Sequence, residues 1–279
     1  MLSMYGRFQA TLNSKPLPGF RTTKVQALLI YLAAEPTTPH RRETLMSLLW
    51  PRMPERSARQ NLRQSLYNLR RSIPDLPLQL PGSETPGLIE METAVPLLLT
   101  NRQTIQLNPQ ANVQSDVMQF EQLTNAVQTH DHLDIFHCHD CRQKLEKAIA
   151  LYKGNFLADI YLDDSNTFEE WAEIKRQSYR RRVLDALETL TTIAIRQASY
   201  VEARAYAEKQ LEIDDLRESA YRQLMQVLAL NGQRSAALTL YETCRRLLFE
   251  ELAMAPSTRT TERYQQIQGG DLTVATQST

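Results

Sequence analysis

Residues 55–73 read Glu55-Arg-Ser-Ala-Arg-Gln-Asn-Leu-Arg-Gln-Ser-Leu-Tyr-Asn-Leu-Arg-Arg-Ser-Ile73 and lie between Pro54 and Pro74. At about 100° per residue, Ala58, Leu62, Leu66, Leu69 and Ile73 fall within roughly 40° of one line, the pattern of an amphipathic helix docked on a core. Gln60, Gln64, Tyr67 and Arg71 point away from that stripe, flanked by Arg56, Arg63 and Asn68. Arg presents a planar fork that matches guanine O6 and N7, and Gln and Asn match adenine N6 and N7, so this face has the chemistry of a major-groove reader. An ordinary solvated helix face balances its bases with acids four residues away, yet Ser57 to Ile73 contains no Asp or Glu. Contact with nucleic acid is therefore favoured over the plain surface alternative.

The flanking segments supply a setting for this helix. Leu2 to Leu17 alternates around Met4, Phe8, Ala10 and Leu12 with a turn at Asn13-Ser14-Lys15, which predicts a short antiparallel hairpin. A helix capped by Thr22 or Thr23 should run through Val25, Leu28, Leu29 and Leu32 to Glu35-Pro36. The next helix carries Leu45, Leu48 and Leu49, and Trp50-Pro-Arg-Met-Pro54 connects it to the basic helix with Pro54 as its first residue. Pro74 to Pro96 reads as an irregular insertion. Leu97-Leu-Leu-Thr100, the turn Asn101-Arg-Gln103 and Thr104-Ile-Gln-Leu107 then predict a hairpin with Arg102 at its tip. Strands, three helices and a closing hairpin, in that order, are a winged helix-turn-helix over residues 1–110, with 76–96 as the insertion. In that geometry the third helix enters the major groove and the hairpin tip reaches phosphate or the neighbouring minor groove.

Composition limits the alternatives. A chain of 279 residues with 42% hydrophobic content can bury a substantial core and suits two domains. The longest apolar run, Ala27 to Ala34, is far shorter than the ~20 residues a membrane helix needs, and no signal-peptide layout opens the sequence, so a cytoplasmic location is expected. Three cysteines, Cys138, Cys141 and Cys244, are too few for a secreted disulfide framework. The net charge of zero hides an asymmetry: residues 1–75 hold 12 Lys and Arg against 4 Asp and Glu, and the rest of the chain is acidic to the same extent. A positive end suits phosphate neutralisation.

From Ser115 onward the pattern is almost continuously helical and repeats. Leu187, Leu190, Tyr200 and Ala203 align with Tyr221, Leu224, Arg234 and Ala237 at a shift of 34, the tetratricopeptide period. Ala203 and Ala237 fall where two helices of a repeat approach closely, and Ala198 and Gly232 fall near the intervening turns. Cys141 to Tyr152, with Ala148, matches the second helix of another such pair. Stacked helix pairs over 111–268 can bury one continuous core. An irregular helical bundle is the alternative, and residues 269–279 are expected to be a disordered tail. The expected fold is thus mainly α, a winged helix-turn-helix with small β elements followed by an all-α tetratricopeptide-like domain.

Several stretches together resemble the bacterial transcriptional activator domain proteins, including the antibiotic-regulatory (SARP-type) activators. They are Pro39-His-Arg-Arg-Glu43, Leu48-Leu-Trp-Pro51, Asn61-Leu-Arg-Gln-Ser-Leu-Tyr-Asn-Leu-Arg-Arg71, Leu151-Tyr-Lys-Gly-Asn-Phe-Leu157 and Tyr241-Glu-Thr-Cys-Arg-Arg246. The resemblance covers nearly the whole chain. It implies an OmpR/PhoB-type winged helix, binding to repeated promoter sites on double-stranded DNA, possible homodimers on that DNA, and assistance to RNA polymerase. Carried onto this sequence, the reading helix is Glu55 to Ile73, and Trp50, Pro51, Arg52 and Met53 match a loop that faces polymerase. The insertion before the hairpin departs from the family pattern. Larger members continue into a nucleotide-binding module, whereas no Gly-x-x-x-x-Gly-Lys-Ser/Thr loop occurs here, so nucleotide hydrolysis is not expected. Nor is phosphorelay control, since no receiver-like α/β segment precedes the hairpin.

The expected base-facing residues are Arg56, Gln60, Arg63, Gln64, Tyr67 and Asn68, and the expected phosphate contacts are Arg41, Arg42, Arg70, Arg71 and Arg102. His40 reads as a phosphate contact or a surface residue. A second unusual feature is the concentration of His130, His132, His137, His139, Cys138 and Cys141 within residues 130–141. Cys138 and Cys141 can both reach one tetrahedral zinc, with His130 or His132 completing the shell, although the spacing matches no standard finger. A thiol redox pair and no special role remain the alternatives. No cofactor is otherwise required. No nucleophile elbow, His-Glu-x-x-His or phosphate loop is present, so an enzyme is not expected. Two rival functions stay open: a helical-repeat scaffold for protein partners, and a regulator gated by metal or redox chemistry at the Cys/His cluster.

Overall fold

Asn13 and Ser14 take left-handed φ values of 50° and 63°, the backbone of a type I′ turn that matches strand twist. That turn joins β2 (Gln9–Leu12) to β3 (Lys15–Pro16), and β2 also pairs with β1 (Leu2–Ser3), giving the sheet order β1-β2-β3. The computed structural model describes residues 1–17, 19–73, 76–77, 94–131 and 134–271. Two units are distinguished, Met1–Glu121 with Leu151–Ser178, and Gln122–Ala150 with Tyr179–Thr279.

In the first unit, α1 (Thr23–Ala34) begins where the Thr22 side chain accepts the Val25 N–H at 3.3 Å. Its Val25, Leu28, Leu29 and Leu32 are all buried. Then come β4 (His40–Arg41), α2 (Arg42–Leu49) and α3 (Glu55–Ser72). The sequence stripe on α3 is the buried face: Ala58, Leu62, Leu66, Leu69 and Ile73 are each at most 6% exposed. Pro54 serves as the N-cap rather than the first helical residue, which still costs no hydrogen bond because Pro lacks the N–H. The start and end of the expected insertion pair with each other, β5 (Leu76–Pro77) running antiparallel to β6 (Ala94–Val95), and residues 78–93 lie outside the described residues. β7 (Leu98–Thr100) and β8 (Thr104–Leu107) form the expected hairpin, and β4 extends it to the sheet β4-β8-β7. A winged helix-turn-helix results.

Residues 151–178, which the linear reading assigns to 111–268, fold with the first unit. Leu157 N–H donates to the Met4 carbonyl at 2.9 Å and Gly6 N–H to the Asn155 carbonyl at 3.0 Å. Gly154 has φ +151°, and a Cβ there would stand 3.3 Å from the Gly6 Cα. Only glycine permits so close a backbone approach without displacement. The buried Asp116 carboxylate accepts the N–H groups of Met4, Tyr5 and Val117 at 2.8–3.0 Å. Burial raises its pKa, and those backbone donors oppose the rise.

The helices continue as α4 (Asp116–Gln128), α5 (His139–Leu151), α6 (Asn166–Arg196), α7 (Tyr200–Ile213), α8 (Glu218–Leu230), α9 (Arg234–Leu252) and α10 (Thr258–Gly269). In the second unit the period of the sequence is a period of structure. Ser199 N–H donates to the Ala194 carbonyl and Ala198 N–H to Ile195; 34 residues later Gln233 N–H donates to Leu228 and Gly232 N–H to Ala229. Ala198 and Gly232 both have positive φ, 54° and 77°. These are the left-handed helix terminations that turn one helix back along the next. Ala203 and Ala237 are fully buried, as the close helix approach requires. Gly269, expected in the tail, ends α10; residues 272–279 lie outside the described residues.

Candidate nucleic-acid interface

Three elements of the first unit converge on one cleft of about 850 Å³. The first turn of α2 contributes Arg42, one side of α3 contributes Arg59, Arg63, Tyr67 and Arg70, and the tip of the β7–β8 hairpin contributes Arg102. Each element is held for a local reason. The Asn101 side chain accepts the N–H groups of Gln103 (2.8 Å) and Thr104 (2.6 Å), which shapes the hairpin tip. Arg42 donates from Nε to the Asn101 carbonyl at 3.0 Å, and its backbone N–H donates to the Gln103 carbonyl at 2.9 Å. Arg70 donates to the Thr100 hydroxyl at 2.8 Å. The tip is thus joined to both helices.

The end of α2 is held from residues 151–178. The Ser165 hydroxyl donates to the Leu48 carbonyl, and Lys24 Nζ donates to the Leu49 carbonyl while pairing with Asp164 at 2.8 Å. These partners satisfy carbonyls that have no helical acceptor role left at a C-terminus. Trp50 is buried, with Lys24 over its ring at 5.6 Å, so the exposed part of the expected polymerase-facing loop is Pro51, Arg52 and Met53. His40 is half-buried: its Nε2 lies 2.8 Å from the Glu35 carbonyl and its ring meets Tyr31 edge-on at 5.1 Å.

Electrostatically the cleft is strained by like charge. Burial first, then the neighbouring Arg63 and Arg70 guanidiniums, lowers the pKa of Arg42. Arginine stays charged under such pressure, so the arrangement favours binding of anions between these side chains.

Arg63 and Tyr67 of the expected base-facing set and Arg42, Arg70 and Arg102 of the phosphate set are brought together. Arg56, Gln60 and Gln64 are exposed on the adjoining face of α3, where Gln64 donates to the half-buried Asn68 at 3.2 Å. Arg41 and Arg71 are exposed outside the cleft lining. Arg59 is the cleft arginine that sequence reasoning missed, and Glu43 also lines the cleft. Arg59 pairs with Glu55 one turn earlier, and its four-residue spacing from Arg63 was the available signal; helical phase alone did not say which side of α3 the hairpin meets.

A separate cluster lies in the second unit. His130 Nδ1 is 3.0 Å from Cys141 Sγ and 3.4 Å from Cys138 Sγ. Burial first, then the hydrogen bond with Cys138, pushes the Cys141 thiol up to about 11. His132 lies outside the described residues. The exposed His137 is bonded to Asp134 at 2.9 Å and the exposed His139 to Gln143 at 2.8 Å. Cys244 belongs instead to an apolar cluster with Tyr221 and Leu248.

A basic cleft framed by a helix-turn-helix and its wing, followed by paired helices, defines a winged-helix regulator architecture. The model of the family described as "Bacterial transcriptional activator domain" matches residues 115–268, more than half of the chain. The chain belongs to that family, whose members are transcriptional regulators and not enzymes. The fold is shared with the solved structure of Mycobacterium tuberculosis EmbR in complex with low affinity phosphopeptide, at a TM-score of 0.69 and 19% identity. The match covers 96% of this chain and 65% of the EmbR chain, so the chain spans less than two thirds of that relative's length. A search of curated proteins found no match. Among the described residues no helix is long and apolar enough to cross a membrane.

Proposed function

We propose that this transcriptional regulator binds double-stranded DNA sequence-specifically through the cleft of α2, α3 and the β7–β8 hairpin. The observation that carries the reading is the convergence of Arg42, Arg59, Arg63, Arg70 and Arg102 with Tyr67 on one concave surface. On this reading α3 enters the major groove. Arg63 and Tyr67, with Arg56, Gln60, Gln64 and Asn68 on the adjoining face, meet base edges and the nearest backbone. Arg42, Arg70 and Arg102 neutralise phosphates and set the register, assisted by Arg59, with Arg41 and Arg71 at the margins. The protein acts in the cytoplasm as an activator: it binds repeated promoter sites as a dimer formed on DNA and presents Pro51, Arg52 and Met53 to RNA polymerase.

Selection of genomic fragments by the purified protein, followed by binding to the enriched duplex at two salt concentrations, tests this. The expected result is a repeated motif bound with affinity that falls steeply as salt rises. Folded protein that enriches no sequence, or whose binding ignores salt, would overturn it.

A further inference from the structure

The His130, Cys138 and Cys141 cluster is not used by DNA binding. Two of its members are joined by the Cys-x-x-Cys spacing, but His130 arrives from the far side of an intervening loop. We infer that these three side chains form a binding site for a borderline-soft divalent cation of the zinc class.

Geometry comes first. One ligand atom from each residue lies within 4.8 Å of the other two. Tetrahedral zinc with bonds of ~2.3 Å to sulfur and ~2.0 Å to nitrogen sets neighbouring S and N atoms roughly 3.6 Å apart. The Nδ1 to Sγ separations of 3.0 and 3.4 Å need only a small outward relaxation to admit the ion.

Residues 134–137, which lead into Cys138, are also tied down. Asp134 caps the turn Ile135–His137 by accepting the Phe136 N–H at 2.9 Å, and it pairs with Arg196 at 3.3 Å. The Arg196 guanidinium also covers the Phe136 ring at 4.1 Å. Cys138 follows that turn directly, and Cys141 stands in the first turn of α5 with its N–H 3.5 Å from Cys138 Sγ. The turn and the helix start therefore fix the two sulfurs on the same side as His130 Nδ1.

Donor chemistry selects the ion. An all-nitrogen-and-sulfur set suits zinc and its analogues and disfavours magnesium and calcium, which take oxygen. The nearby carboxylate of Asp140 is engaged with Lys144 at 2.5 Å. Cys141 is fully buried, whereas His130 and Cys138 are partly exposed, which gives the ion an approach path. Bound there, it would clasp His130 to Cys138 and the start of α5.

The test is titration of the reduced, full-length protein with cobalt(II) alone, followed by zinc. One equivalent should produce thiolate-to-cobalt charge-transfer absorption and tetrahedral visible bands, and zinc should abolish both. C138S and H130A should each weaken binding on the order of 100-fold or more, at or beyond the upper end of the loss expected for an outer hydrogen-bond partner. C244S should leave the titration unchanged. C138S alters a partly exposed position, and circular dichroism on it separates lost ligation from lost folding even if C141A fails to fold. Absence of cobalt bands in reduced, folded protein would overturn the site, as would a C138S titration identical to the parent. So would a Cys138–Cys141 disulfide in metal-free protein purified under reducing conditions, which would assign the pair to redox chemistry.

Discussion

Arg70 on the last turns of α3 donates to the Thr100 hydroxyl on β7 at 2.8 Å. The bond couples the orientation of the proposed reading helix to that of the hairpin, so the two present one surface. Thr100→Val keeps the shape and removes the acceptor. The expected cost in stability is about 0.5–1 kcal/mol, the net worth of an ordinary hydrogen bond. Binding to duplex DNA should weaken to a similar extent for all sequences. Urea denaturation and fluorescence anisotropy on two unrelated sites check this; a change of sequence preference would place Thr100 against a base.

Burial first, and then repulsion from Arg63 and Arg70, lowers the pKa of Arg42 in the cleft. Arg42→Ala should weaken binding uniformly and reduce the slope of log affinity against log salt by about 1, the signature of one lost phosphate contact. Arg63→Ala should cost about 1–3 kcal/mol and relax preference at one base position. In free protein, each substitution relieves repulsion on the other arginine, so the double variant should be non-additive in stability. A scan of binding over single-base variants of the site separates the two roles. Uniform weakening by Arg63→Ala would move Arg63 to the phosphate set.

Ala198 and Gly232 occupy equivalent turns 34 residues apart with φ of 54° and 77°. An L side chain pays in this region and glycine does not, by roughly 1 kcal/mol. Ala198→Gly should therefore stabilise the protein slightly, and Gly232→Ala should destabilise it by about 1 kcal/mol, even though open space surrounds Gly232. Opposite shifts in the denaturation midpoint are the expected outcome. Shifts of the same sign would mean that the two turns are not equivalent.

Glu218 on α8 accepts from the Ser257 N–H at 2.9 Å and from the Ser257 and Thr260 hydroxyls at 2.7 and 2.5 Å, which holds the start of α10. Burial acts to raise its pKa, but the Thr260 and Ser257 donors and Arg222 hold it below the ordinary glutamate range. A carboxyl with a depressed folded pKa stabilises above its unfolded pKa and loses that contribution as pH falls through the folded value. Glu218→Gln should cost about 1–2 kcal/mol at neutral pH. The difference from the parent should shrink on acidification below the unfolded pKa. A difference independent of pH would show that shape rather than charge holds α10.

The third helix was legible because its periodicity is local: five apolar residues at helical spacing define a buried side, and they are the side that is buried. The hairpin and the 34-residue repeat were legible for the same reason, since turn chemistry and small residues mark them directly. The cleft position of Arg59 and the packing of His40 were not. Whether an arginine lines a cleft depends on which flank of α3 the hairpin approaches, and whether a histidine meets solvent depends on the Glu35 carbonyl and Tyr31 ring beside it. Neither neighbour is signalled by spacing along the chain.

The sequence by itself determined the three helices and closing hairpin of the winged domain, the buried face of α3 and the 34-residue helical repeat, because helix and strand periods follow from the backbone and from the cost of leaving apolar surface in water. Tertiary structure alone decided that Ser165 and Lys24 close the end of α2, that residues 151–178 join the first unit, and that His130 meets Cys138 and Cys141. Those contacts are between residues distant in the chain or separated by an irregular loop. Satisfying buried carbonyls and filling space at close packing selects such partners by position in three dimensions, which no local pattern encodes.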